Sequence, residues 1–123
     1  MCLTVNYLPV FVKNLQTEID FYTSKLGFEL LGDGIYHNDN QCKLVKAGDN
    51  TIIGIIEDPQ SNDGYKSKML LNTPDLLHDY HQLRLAGIEF MNKPQYSTNG
   101  LSAQFADKSG NSYILFEHRN YQD

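Results

Sequence analysis

The chain has 123 residues, of which 10 are basic and 15 acidic, and its formal net charge is −5. This length is enough for one compact unit with a real core, or for two very small halves that share one. The negative charge argues against nucleic acid and anionic membrane surfaces as partners, because both are bound through clustered Lys and Arg, and it is compatible with a cationic ligand.

The composition also predicts a cytoplasmic protein. No stretch approaches the roughly eighteen consecutive apolar residues of a membrane span. The N-terminal sequence MCLTVNYLPV has neither a basic leader nor a small-residue cleavage site, which predicts that no signal peptide is present. Cys2 and Cys42 lack metal-binding spacing, and a single disulfide stays open without being required. We therefore expect a reducing compartment and no membrane partner.

The first half of the chain predicts a strand, a helix and three further strands. Residues 3–12 are rich in β-branched and aromatic side chains, which favour a strand. The helix that follows ends at Gly27, a residue suited to the left-handed conformation that closes a helix. Its apolar stripe consists of Leu15, Ile19, Tyr22 and Leu26, and Phe21 falls off that stripe. The further strands are predicted at residues 28–31, 41–45 and 51–57.

The same order then repeats after a polar linker at residues 58–67. A second helix is predicted to begin at Pro74-Asp75 and to end at Gly87. Strands are predicted at residues 69–73, 88–91, 101–106 and 112–117, with a loop at 93–100. Gly27 and Gly87, like Glu57 and Glu117, are separated by 60 residues. The sequence therefore predicts two β-α-β-β-β modules, 1–57 and 68–123, in one domain.

Three segments in this order resemble the vicinal oxygen chelate superfamily, which includes glyoxalases, extradiol dioxygenases, fosfomycin-modifying enzymes and bleomycin-resistance proteins. They are VKNLQTEIDFYTSKLGFEL (12–30), TPDLLHDYHQLRLAGIEF (73–90) and FADKSGNSYILFE (105–117). The third is similar to the family's F-x-D-P-x-G-N turn, with Lys108 where proline is usual. The resemblance implies an α+β fold in which the tandem modules form a half-open, eight-stranded barrel around a cleft, and a homodimer.

The resemblance also places metal ligands, normally His, Gln or Glu, on the first and last strands of each module. Counted from the helix starts and the turn glycine, these positions hold Tyr7, Gly54, Lys68 and Ile114. Glycine and isoleucine have no donor atom, a neutral tyrosine is a poor ligand, and lysine carries the wrong charge. Glu57 and Glu117 lie three residues further on and by strand alternation point away from the cleft. We therefore predict no metal and no cofactor.

The remaining reactive side chains form no predicted catalytic site. His78 and His81 could take up zinc as a surface pair, but they lie opposite the apolar stripe of the second helix, on a solvated face. His37 lies in a polar loop, where it is either at the mouth of the cleft or without a role. Ser112 has no evident base partner, so no nucleophile is predicted.

These observations favour a protein that binds a small aromatic or cationic organic molecule in a metal-free cleft, without chemistry. The predicted cleft residues are Val5, Tyr7, Gly54, Lys68, Leu70, Ser112, Ile114 and Phe116, with Val5 and Leu70 deeper than the others. The alternative for each is an ordinary core position. Two other functions stay open: a metal-dependent lyase, dioxygenase or thiol transferase of the same superfamily, and a dimeric scaffold with a vestigial cleft.

Overall fold

The computed structural model describes residues 1, 5–36, 41–59 and 68–119. The chain divides into two compact units, Met1–Lys66 and Ser67–Asp123. Most of the predicted linker, together with Cys2 and His37, lies outside the described residues. Each unit contains one four-stranded mixed sheet and one helical segment.

The first unit has the predicted order of elements. They are β1 (Leu8–Val12), α1 (Leu15–Asp20) with a π-helical continuation (Phe21–Lys25), β2 (Glu29–Asp33), β3 (Cys42–Lys46) and β4 (Ile52–Glu57). The strand order in the sheet is β1-β4-β3-β2, with β1 parallel to β4 and the other pairs antiparallel. The predicted start of β1 at residue 3 is wrong for residues 5–7, because pairing with β4 begins only at Leu8, which lies opposite Ile53.

A π-helical turn begins at Phe21, which is buried although it falls off the predicted stripe. The Leu26 amide donates a hydrogen bond to the Phe21 carbonyl over 3.0 Å, five residues back instead of four. The wider turn rotates the following side chains about the helix axis. Phe21 and Tyr22, the first two residues of this turn, are both buried, with ring centroids 5.1 Å apart.

The second unit repeats the architecture of the first. Its elements are β5 (Lys68–Asn72), α2 (Leu76–Leu85), β6 (Gln95–Tyr96), β7 (Gly100–Ala106) and β8 (Ser112–His118). The strand order is β5-β8-β7-β6, and β5 is again parallel to β8. The α+β fold with two β-α-β-β-β modules is therefore confirmed.

The predicted strand at residues 88–91 is wrong. Phe90 forms only an isolated bridge with Phe105, although the Met91 amide still donates to the Gln104 carbonyl over 2.7 Å. The Gln104 amide then donates to Oδ1 of Asn92 over 2.9 Å, so a side chain stands where a main-chain carbonyl would continue the ladder. Regular pairing resumes at Gln95–Tyr96, inside the predicted loop.

Each helix begins against a glutamate from the last strand of its own unit. The Leu15 amide donates to Oε2 of Glu57 over 2.9 Å, and the Leu76 amide donates to Oε1 of Glu117 over 2.7 Å. A carboxylate is favourable at this end of a helix because the first amides lack partners within the helix. The Leu76 amide, and after it Arg119, holds the pKa of the Glu117 carboxyl below its usual range.

These contacts identify the two faces of each sheet, because side chains alternate along a strand. The face that carries the glutamate packs against the helix. Many of its apolar residues are at most 5% exposed: Val10, Val12, Ile53 and Ile55 in the first unit, and Leu101, Ala103, Phe105, Tyr113 and Leu115 in the second. We call the opposite side of each sheet its helix-free face. By register it carries Phe11, Cys42, Leu44 and Gly54 in the first unit, and Lys68, Leu70, Ser102, Gln104, Ser112, Ile114 and Phe116 in the second.

Candidate functional site

The helix-free face of the first sheet is dominated by the ring of Tyr7 lying on Gly54. A Cβ atom built at Gly54 would be 2.4 Å from ring atoms Cδ1 and Cε1 of Tyr7, far inside contact distance. Only glycine lets an aromatic ring approach the backbone of a central strand this closely. The two residues were predicted as separate members of a cleft, and the structure brings them into direct contact.

The Tyr7 hydroxyl is already engaged by its own unit. It donates a hydrogen bond to the Ile35 carbonyl over 3.0 Å, and it is also a hydrogen-bond partner of the buried Cys42 thiol. Burial, followed by the proximity of Cys42, raises the pKa of Tyr7 to about 12. Burial likewise raises the pKa of the Cys42 thiol, an effect that the bond to Tyr7 opposes.

Further contacts satisfy this face internally. The Phe11 and Tyr36 rings meet edge to face at 5.7 Å. A Cβ at Gly34 would be 2.8 Å from the Leu44 side chain, so the chain at that point lies directly on the face. The first sheet therefore offers aromatic and apolar surface, but its phenol and thiol groups are neutral at neutral pH.

The second sheet brings five of the predicted cleft residues onto one helix-free face. Lys68 lies opposite Ser112, Leu70 lies opposite Ile114, and Phe116 follows Ile114 on the same side of β8. Ser112, Ile114 and Phe116 are half-buried and Lys68 is exposed.

Neither Val5 nor Leu70 lies deep, contrary to the prediction. The exposed fraction is 77% for Val5 and 59% for Leu70. Val5 precedes β1, and Leu70 is on β5, an edge strand, so neither is covered on all sides.

Polar side chains on this second face have unused hydrogen-bonding capacity. Within the described part of the chain, no hydrogen bond or ion pair is made by the side chains of Lys68, Gln95, Ser102, Gln104 or Ser112. Ser102, Gln104 and Ser112 are nevertheless half-buried among apolar residues. Small-molecule sites combine apolar walls with a few polar groups in this way.

A pocket of about 330 Å³ opens on the same face toward β6. Ile114 is the only predicted residue among those that line it, and Gln95, Ser102 and Gln104 were missed. The alternation in LSAQFA, residues 101–106, could have identified Ser102 and Gln104. It places them on the other face of the strand from the core residues Leu101, Ala103 and Phe105. Gln95 gave no such signal, since its segment was predicted as a loop.

Comparison with known proteins identifies the family. The family model described as Glyoxalase/Bleomycin resistance protein/Dioxygenase superfamily matches residues 4–114. The chain belongs to this superfamily. Solved structures of the superfamily share the fold of this chain, as the sequence resemblance predicted.

Three proteins show what this chain is similar to. The crystal structure of TnmS3, an antibiotic binding protein from Streptomyces sp. CB03234, is 26% identical, with a TM-score of 0.80 over 96% of this chain and 98% of that one. A glyoxalase/bleomycin resistance protein from the same source is 27% identical, with a TM-score of 0.71 over 89% and 96%. An uncharacterized protein of Shewanella frigidimarina (strain NCIMB 400) is 27% identical over 97% of this chain and 96% of its own length.

The residues at the superfamily's metal positions do not fit a divalent ion. Gly54 and Ile114 have no donor atom, and Lys68 is a cation. The Tyr7 hydroxyl is protonated at neutral pH, because its pKa is about 12, and it donates to a carbonyl. Among the described residues, no three His, Cys, Asp or Glu side chains are grouped so that they could hold a metal. His78 and His81 are exposed on α2, as predicted.

The contact between Tyr7 and Gly54 predicts a measurable coupling. We expect Gly54→Ala to destabilise the protein by about 1–3 kcal/mol, because the new methyl group forces the Tyr7 ring away. In a Tyr7→Ala background the same substitution should cost at least about 1 kcal/mol less. Urea unfolding of the four proteins in this cycle measures the coupling. Additive effects would show that the ring does not rest on Gly54.

The raised pKa of Tyr7 gives a second prediction. An ordinary tyrosine, with a pKa of about 10, is largely ionised at about pH 11. We expect Tyr7 to remain mostly protonated there, so wild type and Tyr7→Phe should show nearly equal phenolate absorbance while circular dichroism confirms that both are folded.

The unfolded proteins provide the control for this titration. In denaturant, the phenolate absorbance of wild type should exceed that of Tyr7→Phe by the contribution of one tyrosine. If the folded proteins already differ by the phenolate absorbance of one tyrosine, with a midpoint at or below pH 10, the pKa of Tyr7 is not raised and the prediction is contradicted. That result is expected if a bound cation stabilises the phenolate.

Proposed function

We propose that this chain binds a small aromatic or cationic organic molecule, without a metal ion and without catalysing a reaction. The residues proposed for binding are Val5, Tyr7 and Gly54 in the first unit and Lys68, Leu70, Ser112, Ile114 and Phe116 in the second. The proposal rests on the helix-free face of the second sheet. There, half-buried polar side chains make no hydrogen bond to any other residue that the structure describes.

The chemistry of this face suits a planar organic ligand. Leu70, Ile114 and Phe116 provide adjoining apolar surface, and an aromatic ring can stack on Phe116. Lys68 and Ser112 lie side by side at one end, where they can bind a polar substituent. A cation is also compatible, because the net charge of −5 favours its approach.

The similar protein TnmS3 adds independent support. It is described as an antibiotic binding protein, and it covers nearly the whole of this chain. A binding function within this superfamily therefore accompanies the same fold at comparable length. Enzymatic members that use a metal need ligands at the positions that Tyr7, Gly54, Lys68 and Ile114 occupy here.

The setting of the protein is part of the proposal. We propose that it works in the cytoplasm as a homodimer and that neither nucleic acid nor a membrane is a partner. Among the residues that the structure describes, no helix has the length and hydrophobicity of a membrane span.

Metal analysis and thermal unfolding test the proposed function together. We expect purified protein to contain far less than one equivalent of nickel, zinc, manganese or iron, and chelator to leave its melting temperature unchanged. In a panel of aromatic acids, neutral aromatics and aromatic cations, a specific ligand should raise the melting temperature by mass action. A stoichiometric metal whose removal lowers that temperature would contradict the proposal.

A matched pair of variants locates the binding face. Lys68→Ala should change the response to the ligand while altering the unfolding free energy by no more than about 0.5 kcal/mol, because Lys68 is exposed and has no described ion pair. Lys93→Ala is the control, since Lys93 is also exposed but borders the groove beside α2. Equal responses of both variants would place the ligand elsewhere.

A further inference from the structure

The pocket beside β6 has polar walls that the residues proposed above do not include. It lies between Met91, Asn92 and Gln95 on one side and the middle of β7 and Ile114 on the other, and its volume is about 330 Å³. The described residues that line it all belong to the second unit.

The lining of the pocket is polar but uncharged. Its polar members are Asn92, Gln95, Ser102 and Gln104, and no Lys, Arg, Asp, Glu or His is among the described residues that line it. Asn92 is committed to the fold, because its Oδ1 accepts from the Gln104 amide over 2.9 Å and its Nδ2 donates to the Lys93 carbonyl over 3.0 Å. Asn92 therefore serves as a wall of the pocket.

The other three polar side chains are available to a ligand. Gln95 and Ser102 are directly opposite each other on β6 and β7, and Gln104 lies two residues further along β7 on the same face. None of the three side chains makes a hydrogen bond to another described residue. Two amides and a hydroxyl together offer donors and acceptors, and neighbours at this spacing are about 5–7 Å apart.

We propose that Gln95, Ser102 and Gln104 form a subsite for an uncharged carboxamide, lactam or imide group of the ligand, whose ring lies beside Ile114. This inference rests on the proposed function and narrows it to ligands with such a group. A carboxamide, lactam or imide has an N–H donor and a C=O acceptor in one plane. These can pair with the carbonyl oxygens and the NH₂ groups of the two glutamine side chains. A carboxylate or an ammonium group would lose water in this pocket without meeting an opposite charge.

Four probes that share one ring system test the subsite: 2-naphthamide, 2-naphthoate, 2-naphthylmethylammonium and 2-methylnaphthalene. The chain contains no tryptophan, so the anisotropy of naphthalene fluorescence reports binding without that background. We expect 2-naphthamide to bind about tenfold more tightly than each of the other three, because two neutral hydrogen bonds together contribute about that factor.

Variants of Gln104 assign the preference to the pocket. Gln104→Leu should reduce the affinity for 2-naphthamide to that for 2-methylnaphthalene, and Gln104→Glu should favour 2-naphthylmethylammonium instead. The main-chain bonds of Gln104 to Met91 and Asn92 do not involve the substituted side chain. Gln82→Leu and Gln82→Glu on the exposed surface of α2 are the matched controls and should leave all four affinities unchanged. If Gln104→Leu lowers the melting temperature, Gln95→Leu at the exposed rim makes the same test.

The outcomes separate this inference from the function on which it rests. Equal affinities for all four probes, or a preference that survives both Gln104→Leu and Gln95→Leu, would refute the subsite while leaving the binding of aromatic rings in place. If none of the four probes binds at its solubility limit, the proposed function fails and the subsite fails with it.

Discussion

The hydrogen bonds from the first helical amides to Glu57 and Glu117 determine which side of each sheet is covered. Each glutamate ends the last strand of its unit, and each receives an amide at 2.9 or 2.7 Å. Strand alternation then sends every second residue to the helix and the intervening residues to the helix-free face. Once Glu117 is held by Leu76, the placement of Ser112, Ile114 and Phe116 on the other side follows from their position in β8.

The two units use their helix-free faces differently although their topology is the same. In the first, the Tyr7 ring occupies the space over Gly54, and its hydroxyl is bonded within the unit. In the second, the polar groups of Gln104 and Ser112 stay without a described partner. A duplicated fold has thus produced one internally satisfied face and one with free hydrogen-bonding groups. Under the function proposed here, polar recognition belongs to the second unit.

The sequence was sufficient for the fold because two copies of one pattern agree, most clearly at Gly27 and Gly87, which both have positive φ angles. It was insufficient where a side chain or an extra residue alters local geometry. The π-helical turn at Phe21 changes the helical period, and the Asn92 side chain replaces a carbonyl in the ladder; neither leaves a periodic signal. The candidate site was predicted in part, because alternation locates residues on long strands, whereas Gln95 lies on a strand of only two residues.

The central claim is that a ligand is held by side chains on the helix-free face of the second sheet. Titration of ¹⁵N-labelled protein with 2-naphthamide, followed through the side-chain NH₂ resonances of glutamine, tests it most directly. The account predicts that Gln95 and Gln104 shift with a common dissociation constant while Gln82 on α2 stays in place. Shifts concentrated on the backbone amides of α2, with Gln104 unmoved, would contradict it.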